Sequence, residues 1–176
     1  DRANDATIAN AISGTGSVTK ERASTVTLTG SNSYSGTTTI SAGTLQIGAG
    51  GTSGSLGSGA VTNNATLRFN RSDDVTVANA ISGTGELVKE ASNTLTLTSN
   101  NTYSGTTTIN AGTLVLQHDA PNPTSKTFAG TGALRIQSAG TSFTSAFSTT
   151  GWNFGNSLTG LTLGKSGNTS GMTVAT

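Results

Sequence analysis

Few side chains in this 176-residue chain could carry out chemistry. The one histidine, His118, stands beside Asp119 at the end of a strand-like run, and a His–Asp pair can orient an imidazole as a base. Neighbours on a strand point to opposite faces, so these two side chains do not meet, and His118 reads as a solvated strand end. Eight acids are scattered as Asp1, Asp5, Glu21, Asp73, Asp74, Glu86, Glu90 and Asp119. A hydrolytic pair needs two carboxylates about 5–9.5 Å apart. The best-matched pairs, Glu21 with Glu90 and Asp5 with Asp74, are 69 positions apart. If that spacing is three coils of a stacked fold, roughly 14 Å at the ladder repeat separates them, which is too far.

Other chemistries fail on composition. There is no cysteine and no spacing of carboxylates around His118 that suggests zinc. The Gly-Gly-x-Gly-x-Asp calcium nonapeptide is absent. Gly164-Lys165-Ser166 resembles the end of a phosphate loop, but Thr159 stands where its first glycine belongs. Nine Lys and Arg against eight Asp and Glu leave no basic surface for nucleic acid. No catalytic, metal-binding or cofactor-binding residue is therefore assigned, and the chain is not expected to be an enzyme. The one candidate binding patch is aromatic: Phe143, Phe147, Trp152 and Phe154 lie within twelve residues. Exposed, they would recognise a sugar or a protein; buried, they would fill a wider coil. The runs Thr25/Thr27/Thr29 and Thr94/Thr96/Thr98 resemble ice-binding arrays but recur once per 69 residues rather than on every coil. β-propensity and solubility explain them more simply.

The elements that hold these residues are repeated. Residues 9–48 align without a gap to residues 78–117, with 26 of 40 positions identical, including Ala9-Asn-Ala-Ile-Ser-Gly-Thr-Gly16 and Tyr34-Ser-Gly-Thr-Thr-Thr-Ile40. A third partial copy starts at Phe128-Ala-Gly-Thr-Gly-Ala-Leu134, parallel to Ile81-Ser-Gly-Thr-Gly-Glu-Leu87. Thr, Gly and Ser fill 82 positions and hydrophobic residues 32%, which suits a thin continuous core better than a compact globule. Short alternating runs read as strands at 25–29, 37–40, 44–47, 65–69, 74–77, 86–89, 94–98, 106–109, 113–117, 133–137, 158–163 and 172–174. Leu28, Ile47, Leu67 and Leu87 mark strand centres about 20 residues apart, the period of stacked β architectures. No Asn-Gly or Asp-Gly hairpin turn joins two strands, which disfavours a sandwich.

The fold expected is all-β: a right-handed parallel β-helix, or β-solenoid, of about eight coils and roughly 35–40 Å length at the ladder spacing. Residues 1–137 form its coils and residues 138–176 continue them around the aromatic-rich irregular segment. The glycine-rich stretch 49–60 reads as a loop leaving the coil, and Ala120-Pro-Asn-Pro-Thr124 as a turn or edge. Asn70-Arg-Ser-Asp-Asp74 reads as a polar turn, and Lys20-Glu21 and Lys89-Glu90 as solvated turn charges. Inward positions are Leu28, Ile40, Leu45, Leu97, Ile109 and Leu114, with turn glycines at Gly36, Gly43, Gly105 and Gly112. Both ends fall within strand-like sequence, as in a piece of a longer protein, and no apolar run nears the ~18 residues of a membrane span.

The string Leu95-Thr-Leu-Thr-Ser-Asn-Asn-Thr-Tyr-Ser-Gly-Thr-Thr-Thr-Ile-Asn-Ala-Gly-Thr-Leu114 resembles the autotransporter-associated β-strand repeat of bacterial passenger proteins, as does residues 26–45. The tail Ser157-Leu-Thr-Gly-Leu-Thr-Leu-Gly-Lys-Ser-Gly-Asn-Thr169 is similar to segments of large haemagglutinin-like surface proteins. The resemblance implies an extracellular segment on a Gram-negative cell surface, a stalk or adhesin with no catalytic residue to carry over. Its implied partners are adjoining segments of a longer parent chain or molecules on host or neighbouring cells; separately, the unpaired strand edges at open β-helix ends allow a self-associating solenoid that forms extracellular filaments or cell–cell aggregates. Nucleic acid and membrane insertion by this segment are not expected.

Overall fold

The computed structural model of the chain describes residues 4–117, 126–138, 140, 147–148, 151–164 and 172–173, with the backbone alone at 147–148 and 172–173. His118, Asp119, the two prolines, Phe143 and residues 165–170 lie outside it. Among the described residues there is no helix, and every strand pairing is parallel. Runs of β-branched and aliphatic residues, Val26-Thr-Leu or Leu95-Thr-Leu, put one side chain in and the next out. Glycine corners between them let the chain turn without a Cβ in the way.

The strands stack into three faces that the chain visits in a fixed order. The long face holds eight rungs: Ala6–Ile8, Thr25–Leu28, Thr44–Ile47, Thr66–Phe69, Glu86–Lys89, Thr107–Ile109, Thr127–Gly130 and Asn153–Phe154. The second face stacks Val75–Val77, Thr94–Leu97, Thr113–Gln117, Ala133–Gln137 and Gly160–Leu163. The third stacks Val18–Lys20, Thr38–Ile40, Val61–Asn63 and Ile81–Ser82, and Phe147–Ser148 pairs separately with Met172–Thr173. This is a parallel β-solenoid, as the sequence indicates. Eight rungs enclose fewer than eight closed turns, so the expected coil count is slightly high.

Register aligns like with like. The inward column Val26, Leu45, Leu67, Leu87 continues through Thr107 to Phe128 and Phe154. Leu28, Ile40, Leu45, Leu97, Ile109 and Leu114 are all buried in the core. Gly43 and Gly112 both sit at positive φ, 69° and 68°, where an L side chain is strained. Gly36 and Gly105 pack against the carbonyls of Gly16 and Gly85 in the preceding coil, where a Cβ would clash with backbone.

Two expectations change. Residues 49–60 do not leave the coil: Ser55 N donates to Gly30 O at 3.2 Å and Ser58 N to Tyr34 O at 2.9 Å, so this glycine-rich segment lies along the rod. More consequentially, the 69-residue repeat is not three coils. From Val26 the register passes through Leu45 and Leu67 to Leu87, three turns in 61 residues, and eight more residues reach Leu95 on the next face. Thr25–Leu28 lies on the long face, whereas its copy Thr94–Leu97 lies on the second; Thr38–Ile40 lies on the third, and its copy Thr107–Ile109 on the long face. Each copy thus advances one face. The third partial copy does the same, since Ile81 is on the third face and Phe128 on the long one.

Candidate functional site

The same interior contacts recur in both copies although the copies occupy different faces. Each strand end meets a corner whose carbonyls turn inward and need donors. Lys89 follows Leu87 in the inward phase of its strand and is 1% exposed. Its ammonium donates to Ala91 O at 2.5 Å, Asn93 Oδ1 at 2.9 Å and, one coil further, Ala111 O at 3.1 Å. Three donors thus find three acceptors. Its counterpart Lys20 is 5% exposed and donates to Arg22 O and, one coil further, to Ala42 O. Each lysine ties two corners together. Burial lowers the Lys89 amine to about 8 against the opposing pull of Asp74, and lowers Lys20 in the same way against Asp5. Reading these lysines as solvated turn charges is therefore wrong. The signal was present, because Val18-Thr-Lys20 and Leu87-Val-Lys89 place the lysine in the apolar phase of the alternation.

Tyrosine supplies the second clamp. The hydroxyls of Tyr34 and Thr38 lie 2.7 Å apart and those of Tyr103 and Thr107 2.8 Å apart, all four residues buried. Asn32 Oδ1 accepts from Ile12 N at 2.8 Å, and Asn101 Oδ1 from Ile81 N at 2.9 Å, each bridging to the coil before. Lys126 Nζ donates to Tyr103 O at 2.8 Å and sits 3.9 Å over the Tyr103 ring, where the π face replaces lost hydration. Burial brings this amine down to about 8 and the Tyr103 phenol up to about 12. The cavity beside them, bounded by Leu97, Asn101, Tyr103, Lys126 and Trp152, measures about 10 Å³, room for about one water. These groups stitch coils together and leave no space for a substrate.

The acids with partners among the described residues are dispersed. Asp5 and Asp74 accept from Thr25 N and Thr94 N, each at 2.7 Å, as caps of the next coil. Glu90 pairs with Arg68 at 3.3 Å and accepts from Asn110 at 2.8 Å. The one-face advance puts Glu21 and Glu90, like Asp5 and Asp74, at corners of different faces. Among the described residues no three His, Asp or Glu side chains gather. Of the aromatic patch, Trp152 is 8% exposed and packs with Phe128 at 5.4 Å, and Phe154 stacks on Phe128 at 5.7 Å. Trp152 belongs to the core cluster, and the half-buried Phe154 packs against it. Phe143 and the side chain of Phe147 lie outside the described residues.

The sequence comparisons show what this repeated parallel solenoid is similar to. The passenger-associated-transport-repeat family model matches residues 18–47 and 87–116, the same 69-residue offset. The chain is 44% identical over 84 residues to the adhesin BmaC autotransporter of Brucella suis biovar 1 (strain 1330), covering 48% of this chain and 2% of that protein. It is 42% identical over 67 residues to the uncharacterized protein YuaQ of Escherichia coli (strain K12), covering 38% of this chain and 5% of that one. No solved structure matches it. Two segments of the chain match the passenger-associated transport repeat, and the chain spans only 2% and 5% of the lengths of these two relatives.

Proposed function

We propose that this segment is a non-catalytic structural and adhesive stalk of a large surface protein, an autotransporter or haemagglutinin-like adhesin, displayed outside a Gram-negative cell. The observation that carries the reading is the paired clamp set: Lys20 and Lys89, Tyr34 and Tyr103, and Asn32 and Asn101 each cross-link or brace the stack at the same point of two copies. Keeping the interior bracing while exposed residues differ (Ser31 against Asn100, Ser41 against Asn110) favours stiffness over a fixed ligand site. The kinship with an autotransporter adhesin supports the surface location. Among the described residues no helix is long and apolar enough to cross a membrane. Surface labelling of intact source cells with an antibody to this segment tests the location, and a polysaccharide-hydrolysis panel tests the absence of turnover. Labelling only after lysis, or release of reducing ends, overturns the reading.

A second reading is self-association through the ends of the stack. Ile8 on the first rung is 37% exposed, although it heads the column Leu28–Ile47–Phe69, and Leu161 on the last rung of the second face is 43% exposed above Leu134. Such ends template another rung, from the adjoining parent chain or from another copy. Sedimentation across a concentration series separates the two, because only stacking copies gain mass with concentration.

A further inference from the structure

The ladder is broken at one place. Val75–Val77 is the first strand of the second face and pairs only with Thr94–Leu97. Thr98 N donates to Val77 O at 3.0 Å, so Val77 turns its backbone groups toward that neighbour. In a parallel ladder the next residue turns the other way, so the N–H and C=O of Thr76 face the coil before. That coil offers no backbone partner. Instead Ser55 N is committed to Gly30 O on its far side. Two side chains span the gap at its ends: Arg71 donates to Gly54 O at 2.7 Å, and Asn79 Nδ2 donates to Gly57 O at 2.8 Å. Between them lies a cleft of about 130 Å³ whose floor is Ile47, Leu56, Phe69 and Val77. Arg71 is already paired with Asp73 at 2.5 Å, so the cleft holds no unpaired charge.

We propose that this cleft is a binding subsite for the acetamido group of an N-acetylated amino sugar. The shape calls for a small neutral group with one apolar end and one amide. The methyl seats on Phe69 and Val77. The amide carbonyl accepts from Thr76 N–H, and the amide N–H faces the bank carrying the Gly54 carbonyl, which keeps a second lone pair beside its bond from Arg71. An extended peptide running through the gap would collide with Arg71 and Asn79 at its two ends, whereas a pendant group enters from the side. The proposal does not depend on the stalk reading, and its failure leaves that reading intact.

The test is titration of the ¹⁵N-labelled protein with N-acetylglucosamine, glucose and N-acetylalanine methylamide. The acetylated sugar should shift the Thr76 amide and its neighbours, and glucose should not. Thr76→Pro removes the N–H without removing a bond to Thr94–Leu97 and should weaken binding about tenfold, the worth of one hydrogen bond. Thr76→Val keeps the N–H and should bind as the parent does. Equal shifts with glucose, shifts mapping elsewhere, or undiminished binding by a folded Thr76→Pro variant overturn the proposal. N-acetylalanine methylamide carries the same acetamido group and should shift Thr76 more weakly than the sugar; an equal or stronger response overturns the proposal in favour of a peptide ligand. Should Thr76→Pro not fold, the shift map of the parent protein decides.

Discussion

Lys20 and Lys89 hold equivalent places in the two copies, yet one closes a strand of the third face and the other a strand of the long face. The clamp therefore belongs to the local corner and works on whichever face the repeat lands.

That displacement can be read by crosslinking. Arg68 and Val88 are register partners on the long face, within the Cα range a disulfide spans, whereas Thr62 lies on the third face. Cysteines at 68 and 88 should form a disulfide on mild oxidation, and cysteines at 62 and 88 should not. Mobility on a non-reducing gel checks it; a 62–88 crosslink would contradict the one-face advance.

The Tyr103–Thr107 clamp sets up a double-mutant cycle. Thr107→Val leaves the buried Tyr103 hydroxyl without its partner and should cost about 1–3 kcal/mol. Adding Tyr103→Phe removes the orphan and should recover part of that loss. Urea denaturation of the four proteins measures the coupling; additive losses would show that the hydroxyls do not interact.

Core and corner variants should separate sharply. Leu97→Asp buries an unpaired charge in a fully enclosed column and should abolish folding. An unchanged melting temperature would mean Leu97 points outward. Gly105→Ala drives a Cβ onto the Gly85 backbone and should destabilise, whereas Gly51→Ala meets nothing and should be neutral or gain about 0.4–1 kcal/mol.

Stability should be greatest near pH 10. Lys89 and Lys126 titrate at about 8 when folded and at 10.5 in the free side chain, so the unfolded chain holds more protons between those values. Stability is then flat below about pH 8 and rises toward 10.5. Tyr103 runs the other way: its folded value of about 12 exceeds the free value of 10.0, so the native state holds the extra proton and its contribution is lost as pH rises toward 12. Urea midpoints at pH 7, 9, 10 and 12 trace the profile, and Lys126→Met should flatten its rising limb. A protein more stable at pH 7 than at pH 9.5 would contradict it.

Much of this was legible in the sequence. Alternation placed Leu28, Leu45, Leu97 and Leu114 inward, because a period of two with one apolar phase admits a single buried face. The strands at Ala6–Ile8, Val18–Lys20, Val61–Asn63 and Thr127–Gly130 were not legible: three or four residues with at most two aliphatics carry too little pattern to stand out from a turn. The face of each strand was also hidden, since spacing alone does not say how a 69-residue period divides among turns of 19 to 23 residues. Lys20 and Lys89 show the bias of composition over phase: a charge in the inward register was assigned to solvent although its position said otherwise. The ladder gap at Thr76 depends on which neighbours fail to bond, which no single residue type announces.

The one-face advance has a mechanical consequence. Any copy that bends the rod, for instance through the surplus residues of its glycine-rich corner, bends it toward one direction. The next copy directs the same bend one face further round, and the third completes the circuit. Over three copies the deflections cancel, so a long array of such repeats grows as a straight spear with no preferred side.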